Sequence, residues 1–253
     1  DYNLFGDGIS TTRQMLDKAL DDRPLILIAT DHHTAWANTI ALERSGLLNG
    51  LDVPPGNEVV MGDDGLATGE LREHAAFDPV MMLRSSGGRE NLGLSGIEPV
   101  VPPTEEQRRE DIDVLKEGLK YCASFGFTSL HNMDGNRYQL DLLNDIQAEG
   151  ELRCRTEIPF HLTPSKPIET LVMASDLAKE FNSDWLSAGR IKMFMDGVID
   201  SSTAVLIEDY ASRPGWRGNP LHSAERFCSA AIEADRLELQ ISVHAIGDGA
   251  VHQ

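Results

Sequence analysis

Short runs of β-forming residues alternate with longer helical periods along most of this 253-residue chain. This alternation is typical of α/β folds, in which helices connect the strands of a parallel sheet. A chain of this length suits one large domain. The pattern therefore predicts a single α/β domain. Its strands are expected near residues 24–30, 127–133, 152–160, 191–195 and 239–245.

The helix before the second predicted strand has the clearest boundaries. Thr104 is a suitable N-cap, and Gln107, three residues later, completes a capping box. Gly126 is expected to end this helix, because glycine readily adopts the left-handed conformation that follows many helices. Looser periodic patterns predict further helices at residues 167–181 and 224–237.

Residues 53–103 differ from the rest of the chain. They are rich in glycine and proline, and they lack a clear period. We expect an irregular excursion from the domain over this range, since long segments of this kind are usually functional or disordered. The excursion is expected to cover the site and not to form a domain of its own.

Composition limits the classes of partner. The 41 acidic and 22 basic residues give a formal charge of −19, which argues against binding to nucleic acid. No apolar run approaches the length of a membrane span. The three cysteines are far apart and odd in number, so they are expected to be reduced core residues of a cytoplasmic protein. The first residue is not methionine and the last follows a predicted strand closely, so both ends are expected to lie inside a longer protein.

A lysine occupies an inward position on the fourth predicted strand. Because successive side chains of a strand point to opposite sides, Lys192 and Phe194 share the face opposite to Met193. A lysine that points into a barrel is costly to bury unless it is paired or neutralised. A structural ion pair, with Asp196 or an acid on a neighbouring strand, and a functional role are both open explanations.

The fifth predicted strand repeats this pattern with a histidine. Its apolar residues occupy one face, which leaves His244 on the inner face and Asp248 just beyond the C-terminal end of the strand. Barrel enzymes carry their catalytic groups at this end of the strands. A hydrogen-bonded core histidine is the structural alternative for His244.

Other histidines also follow predicted strands. His131 closes the second strand, and His33 lies where the first strand meets a helix expected to begin near Thr34. Capping of that helix is an alternative role for this segment. Solvated or capping roles are expected for four further histidines, namely His32, His74, His222 and His252.

Four blocks of the sequence carry a family resemblance. They are Asp31-His32-His33-Thr34-Ala35-Trp36-Ala37-Asn38, Gly126-Phe127-Thr128-Ser129-Leu130-His131-Asn132, Ile191-Lys192-Met193-Phe194-Met195-Asp196-Gly197 with Ser201-Ser202-Thr203-Ala204, and Val243-His244-Ala245-Ile246-Gly247-Asp248. A weaker fifth block lies at residues 64–71. In order and spacing they resemble the amidohydrolase superfamily, specifically its family 3 branch, which includes N-substituted formamide deformylases and other metal-dependent hydrolases.

This resemblance implies a metal site. Lys192 matches the strand lysine that is carboxylated in many members and bridges two metals, which would turn a buried cation into an anionic ligand. His244 matches the metal-binding histidine of the following strand. The implied cofactor of the complete enzyme is a divalent metal, with zinc expected.

The resemblance also implies residues that face the substrate. Asp196 is the predicted catalytic residue, and it begins a segment that resembles the substrate-facing loop of the family. His32 stands where the family usually has glycine. The predicted substrate-binding residues are His33, Trp36, Asn38, His131, Ser201 and Asp248.

Several ligands of the family are not recognisable in this sequence. The family takes two histidines from a His-x-His motif on its first barrel strand, another from the strand after that of His244, and an aspartate from its last strand. We therefore expect an incomplete TIM (β/α) barrel over residues 1–253. It lacks the first and last strands and the β-sandwich that members build from both chain ends.

The expected reaction is the hydrolysis of a non-peptide, amide-like carbon–nitrogen bond in a small molecule, and the isolated chain is expected to bind metal weakly and turn over little. One alternative is an aldolase-like barrel enzyme that forms a Schiff base on Lys192. The other is a non-catalytic fragment or interaction module, whose open barrel edges pair with another copy in a homo-oligomer.

Overall fold

A computed structural model of the chain describes residues 12–84 and 86–253. The described residues form a mixed α/β structure. Its strands are β1 (Ile26–Ile28), β2 (Thr34–Ala37), β3 (Glu58–Met61), β4 (Ala67–Arg72), β5 (Ser129–His131), β6 (Arg155–Glu157), β7 (Phe160–His161), β8 (Leu186–Ser187), β9 (Arg190–Phe194) and β10 (Gln240–His244). Its helices are α1 (Arg13–Ala19), α2 (Thr39–Arg44), α3 (His74–Met81), α4 (Arg89–Leu92), α5 (Glu105–Ser124), α6 (Arg137–Ala148), α7 (Leu171–Glu180), α8 (Ala224–Arg236) and α9 (Asp248–His252).

The contacts within the chain divide it into two compact units. The first unit contains the described residues up to Gly88 together with Asp196–Asn219 and Ile246–His252. The second unit contains Arg89–Met195 and Pro220–Ala245, with the last residue of the chain. The assignment of residues 1–253 to one barrel domain stays a prediction.

The first unit is built on an antiparallel sheet with the strand order β1-β2-β4-β3. Along β4, buried residues alternate with partly exposed ones, which is the pattern of a sheet with one face on a core. Leu71 of β4 is fully buried in a cluster that includes Leu42 of α2 and Phe77 of α3. Helices α2 and α3 therefore cover the apolar face of this sheet.

The helix expected near Thr34 is wrong, because this residue begins strand β2. The Asp31 carboxylate accepts hydrogen bonds from the backbone N–H groups of His33 and Thr34, at 2.9 and 3.1 Å. His32 between them has a left-handed φ of 59°. This tight turn reverses the chain, so β2 returns antiparallel to β1 and a helix begins only after Asn38.

The irregular excursion expected at residues 53–103 is wrong for a large part of this range. Strands β3 and β4 form a hairpin there, and helices α3 and α4 follow it. Gly65, with a φ of 76°, lies in the hairpin turn. At Gly69 a Cβ atom would lie 2.8 Å from the carbonyl oxygen of Ala37 on β2. The glycines therefore mark a turn and a close backbone approach within a sheet.

The second unit contains two parallel sheets, with the strand orders β5-β6-β8 and β10-β9-β7. In the sequence, α6 lies between β5 and β6, α7 between β7 and β8, and α8 between β9 and β10, as the alternating pattern predicts. The sheet of β5 packs in a cluster that includes Ile146 of α6, and the sheet of β9 in one that includes Leu171 of α7. The strand expected at residues 152–160 is two short strands, β6 and β7, with Pro159 between them. Proline cannot donate a ladder hydrogen bond, so it interrupts pairing at this point.

The predicted boundaries of α5 are confirmed. The Thr104 side chain accepts from the backbone N–H of Gln107 at 3.2 Å, and the Gln107 side chain accepts from the backbone N–H of Thr104 at 3.0 Å. Gly126, with a φ of 85°, follows the helix. None of the helices in residues 12–84 and 86–253 combines the length and apolar character that a membrane crossing requires.

Candidate functional site

Lys192 lies at the centre of β9 in the second unit and is only 7% exposed. Its Nζ atom lies 4.5 Å from the ring centroid of Phe194, two residues along the same strand. Among the residues that the structure describes, this ammonium has neither a hydrogen bond nor an ion pair. Burial lowers the pKa of Lys192, and the negative charge of Asp134 acts in the opposite direction. The buried amine is thus compensated by an aromatic face and not by a contacting carboxylate.

His161 of β7 is the register partner of Lys192 on the neighbouring parallel strand. It is 2% exposed, and its buried Nε2 atom has no hydrogen-bond partner among residues 12–84 and 86–253. The nearest carboxylate oxygen, Oδ1 of Asp134, lies 3.8 Å from this nitrogen. Burial, reinforced by the charges of Lys166 and Lys192, lowers the pKa of His161 to about 4. The imidazole is therefore neutral at pH 7, with a nitrogen that no described residue uses.

His244 lies on the other side of β9. Strands β9 and β10 are parallel neighbours in which Ser242 pairs with Lys192 and His244 pairs with Phe194. The ring centroids of His244 and Phe194 are 5.0 Å apart, and those of His161 and Phe194 are 6.0 Å apart. The Phe194 ring is thus contacted by an amine and two imidazoles from three adjacent strands.

These groups do not form a complete metal centre. Within the described part of the chain, no group of three or more His, Cys, Asp or Glu side chains could hold a metal ion. A hydrolytic zinc site usually has at least three protein ligands. The Nε2 atom of His161 could coordinate a metal, and Lys192 is its register partner on the next strand. These two residues are still fewer than the three ligands that such a site needs. The residues present therefore do not by themselves fit the metal site that the resemblance implies.

Asp196, the predicted catalytic residue, belongs to the first unit and is 1% exposed. One oxygen accepts the backbone N–H of Ile246 at 2.9 Å, and the other accepts those of Val205 and Gly247 at 2.9 and 2.8 Å. Charge-assisted bonds of this kind are among the stronger ones in proteins. The carboxylate therefore joins the loop at Val205 to the segment that precedes α9.

Close backbone packing surrounds this carboxylate. A Cβ atom at Gly247 would lie 1.9 Å from the carbonyl oxygen of Val205, and one at Gly218 would lie 2.1 Å from that of Ala204. At Gly249 it would lie 2.8 Å from the carbonyl carbon of Leu206. Residues 204–206 are therefore held against three glycines that cannot carry side chains.

Glu73 connects two predicted substrate-binding residues of the first unit. Its Oε2 atom lies 2.7 Å from Nδ1 of His33, and its Oε1 atom accepts from the hydroxyls of Ser201 and Thr203, at 3.2 and 3.0 Å. The hydrogen bond from Glu73 raises the pKa of His33, although burial opposes this shift. Two of the four recognised sequence blocks thus meet at a glutamate that lies outside all of them.

The other predicted substrate-binding residues have structural contacts. Asn38 is fully buried and caps α2, since its Oδ1 accepts the backbone N–H of Ala41 at 3.0 Å. Trp36 is 3% exposed in a core cluster, and Asp248 accepts the backbone N–H of Ile207. Their contact with a substrate stays a prediction.

His131 is an exposed residue of the predicted site, with 60% of its side chain accessible. It lies on β5, and its Nδ1 atom accepts a hydrogen bond from Arg190 at 3.3 Å. The same nitrogen lies 3.2 Å from Oε2 of Glu157, which also pairs with Arg190 at 3.1 Å. His131 therefore belongs to a polar cluster of the parallel strands, and its contact with a substrate also stays a prediction.

Two residues with prominent contacts, His161 and Glu73, were not among the predicted site residues. The position of His161 at the end of a predicted strand was a usable indication, because the C-terminal ends of parallel strands meet at one edge. Glu73 offered no such indication, since its partners lie 40 and 128 residues away in the sequence.

Comparisons with known proteins indicate the family of the chain. The chain matches the description "Amidohydrolase family" over residues 1–253. It is similar to "Putative amidohydrolase YtcJ" of Bacillus subtilis, with 26% identity over 94% of this chain and 41% of the relative. It is also similar to "N-substituted formamide deformylase" of Arthrobacter pascens, with 22% identity over 95% of this chain and 41% of the relative.

A solved structure has a similar fold. It is an uncharacterized metal-dependent hydrolase from Pyrococcus horikoshii, with a TM-score of 0.57 and 22% identity. The similarity covers 97% of this chain and 43% of the hydrolase chain. The chain thus spans about two fifths of the length of the proteins that it matches.

Proposed function

Because the chain belongs to the amidohydrolase family, we propose that it is the central part of a metal-dependent hydrolase that cleaves amide-like, non-peptide carbon–nitrogen bonds in small molecules. The proposed architecture is a TIM barrel. This chain supplies strands β5 to β10, which belong to the middle of the barrel sequence. Lys192 and His244 are the proposed metal ligands, Asp196 is the proposed catalytic residue, and zinc is the proposed metal.

The buried amine of Lys192 supports this proposal most strongly. A lysine at 7% exposure that contacts an aromatic face but no carboxylate keeps part of its cost of desolvation if it remains an ammonium. Carboxylation of Nζ would replace this cation with an anion whose oxygens suit a divalent metal. The unused Nε2 atom of His161 lies on the neighbouring strand and would favour a metal at the same place.

The proposed metal site is incomplete in this chain. Two ligands are fewer than a hydrolytic zinc site needs. The family motifs that would supply the others are not recognisable in the sequence. We therefore expect weak metal binding and little turnover from residues 1–253 alone.

The test combines zinc and ¹³C-labelled bicarbonate with the chain. We expect a carbamate resonance by NMR that requires zinc, less than one bound metal per chain by elemental analysis, and little release of amine from N-formyl and N-acyl amides. Lys192→Met should abolish the carbamate and the bound metal, and His244→Ala should reduce the bound metal. The control Lys179→Met changes an exposed lysine of α7 and should leave both unchanged.

Three results would contradict parts of this proposal. Metal binding that is insensitive to Lys192→Met and His244→Ala would remove both proposed ligands. A stoichiometric metal held by these two residues would show that the site is complete. Covalent trapping of a carbonyl compound on Lys192 by borohydride would support the Schiff-base alternative instead.

A further inference from the structure

Glu73 has a backbone conformation that is rare for any residue with a side chain. It follows the end of β4 with a φ of 64° and a ψ of 162°. This region of backbone space is essentially restricted to glycine, and other residues persist there only when their surroundings fix them. The side chain of Glu73 is 14% exposed, so it is held inside the unit. A glutamate at a position suited to glycine indicates that its carboxylate contributes something that glycine would lose.

The two oxygens of this carboxylate bind different parts of the first unit. Oε2 lies 2.7 Å from Nδ1 of His33, and the backbone N–H of Glu73 donates to the carbonyl oxygen of His33 at 2.7 Å. Oε1 accepts from Ser201 and Thr203. His33 stands at the end of the β1–β2 turn, whereas Ser201 and Thr203 lie about 130 residues further along the chain.

The loop on the Oε1 side is closed on itself. The Thr203 hydroxyl accepts the backbone N–H of Val198 at 2.9 Å, and the backbone N–H of Gly197 donates to the carbonyl oxygen of Thr203 at 3.1 Å. A Cβ atom at Gly197 would lie 2.0 Å from the Thr203 hydroxyl and 3.4 Å from Oε1 of Glu73. Residues 197–204 thus form a compact turn that contacts Glu73 through its hydroxyl groups.

We propose that Glu73 is a positioning residue whose carboxylate holds His33 through one oxygen and the turn at residues 197–204 through the other. The two elements are then fixed against each other as a single surface. This inference rests on the proposed function, in which His33 and Ser201 face the substrate. It adds that neither residue keeps its place without Glu73.

The decisive variant is Glu73→Gln, which keeps the size of the side chain and removes its charge. We expect the pKa of His33, measured by NMR, to fall from its raised value. We also expect the backbone amides of Gly197, Thr203 and Ala204 to exchange with solvent at least tenfold faster. The control Glu70→Gln changes a glutamate of β4 that pairs with Arg72, and it should leave both quantities unchanged.

A second pair of variants covers the case in which Glu73→Gln does not fold. Glu73→Gly suits the backbone and deletes the carboxylate, so it should reproduce both changes. The double variant Ser201→Ala with Thr203→Val removes only the Oε1 contacts, so it should speed exchange in the turn while the pKa of His33 stays raised.

Unchanged amide exchange in Glu73→Gly, which deletes both oxygens, or loss of the whole fold in both Glu73 variants, would overturn the proposal. The first result would mean that Glu73 acts on His33 alone, and the second that it serves global folding. These measurements need neither metal nor turnover. The amide-exchange and pKa measurements therefore still test the role of Glu73 if the proposed hydrolase function is wrong.

Discussion

His161 on β7 and Lys192 on β9 are register partners on parallel strands, which brings a neutral imidazole beside a buried amine. Neither nitrogen donates to or accepts from another described side chain at hydrogen-bond distance. A side chain buried for folding alone is normally satisfied by its neighbours. This pair therefore leaves polar atoms that a ligand could use, on two neighbouring strands of one sheet.

Replacing Lys192 with methionine should leave the folded state as stable as before or more stable by about 1 kcal/mol. The reason is that an apolar side chain of similar size removes the desolvation of an unpaired cation. The pKa of His161 should rise, because the charge of Lys192 lowers it. Urea denaturation and NMR titration measure these effects, and a loss of several kcal/mol would show that Lys192 has a stabilising partner.

Asp196→Asn should destabilise the protein by roughly 2–4 kcal/mol. The substituted side chain has one acceptor oxygen, so at least one of the three backbone N–H groups loses its partner and meets an amide donor. Asp248→Asn is the control, because its Oδ1 atom can still accept from Ile207 and Gly249. Denaturation of both variants gives the difference, and equal stability would mean that the Asp196 contacts contribute little.

Stability should decrease as the pH falls from about 6.5 to about 4. Burial lowers the pKa of His222 to about 4 from its ordinary value of 6.5, with a further contribution from the charge of Arg226. Between these values the unfolded chain binds a proton that the folded chain does not, so acid favours unfolding. His161 acts in the same direction.

His222→Asn tests this assignment. The amide oxygen can still accept from Arg226, which donates to Nδ1 of His222 at 3.1 Å, but it does not titrate. The loss of stability between pH 7 and pH 4.5 should therefore be smaller in the variant than in the wild type. Parallel pH profiles would show that His222 is not responsible.

The chain should associate with itself at micromolar concentrations. Strand β5 is an end strand of one parallel sheet and β10 is an end strand of the other, and end strands present unpaired backbone groups. Near β5, Tyr121, Phe125 and Phe127 are 66%, 67% and 58% exposed. Sedimentation velocity should show species larger than a monomer. A single monomeric species at these concentrations would make the prediction wrong.

Phe125→Glu should shift this equilibrium toward the monomer, because it places a charge in the exposed aromatic patch formed by Tyr121, Phe125 and Phe127. Ile232→Glu, on the exposed side of α8, is the matched control and should have little effect. If both variants behave alike, the aromatic patch does not mediate association.

The parallel strands and their helices could be predicted from the sequence, because they are indicated by patterns among residues that are close together in the sequence. Alternation of apolar residues gave the strand of Lys192 and that of His244, and the capping box at Thr104 gave the start of α5. The sequence blocks that resemble the family then predicted that Lys192 and His244, on these two strands, both bind metal. The neighbouring positions of β9 and β10 follow from their order along the chain.

The remaining features depend on contacts between distant residues. The strand at Thr34 was mistaken for a helix because the turn that creates it depends on the Asp31 side chain and a left-handed His32. The hairpin of β3 and β4 joins a larger sheet because β4 also pairs with β2, a strand about 30 residues earlier in the sequence. Glu73 was missed for the same reason, since its role becomes visible only when both its partners are in place.

Three glycines pack against residues 204–206. The segment from residue 204 to residue 218 therefore contains positions that differ in their tolerance of amino-acid substitution. Near Gly218, Gly247 and Gly249 even a methyl group has no room, so random substitution there yields mostly misfolded protein. Residues 207–209 and 211–215 are exposed, and a Cβ atom at Gly215 would meet nothing within 4 Å. A library of variants in this segment should therefore draw its diversity from these exposed positions and leave the glycines intact.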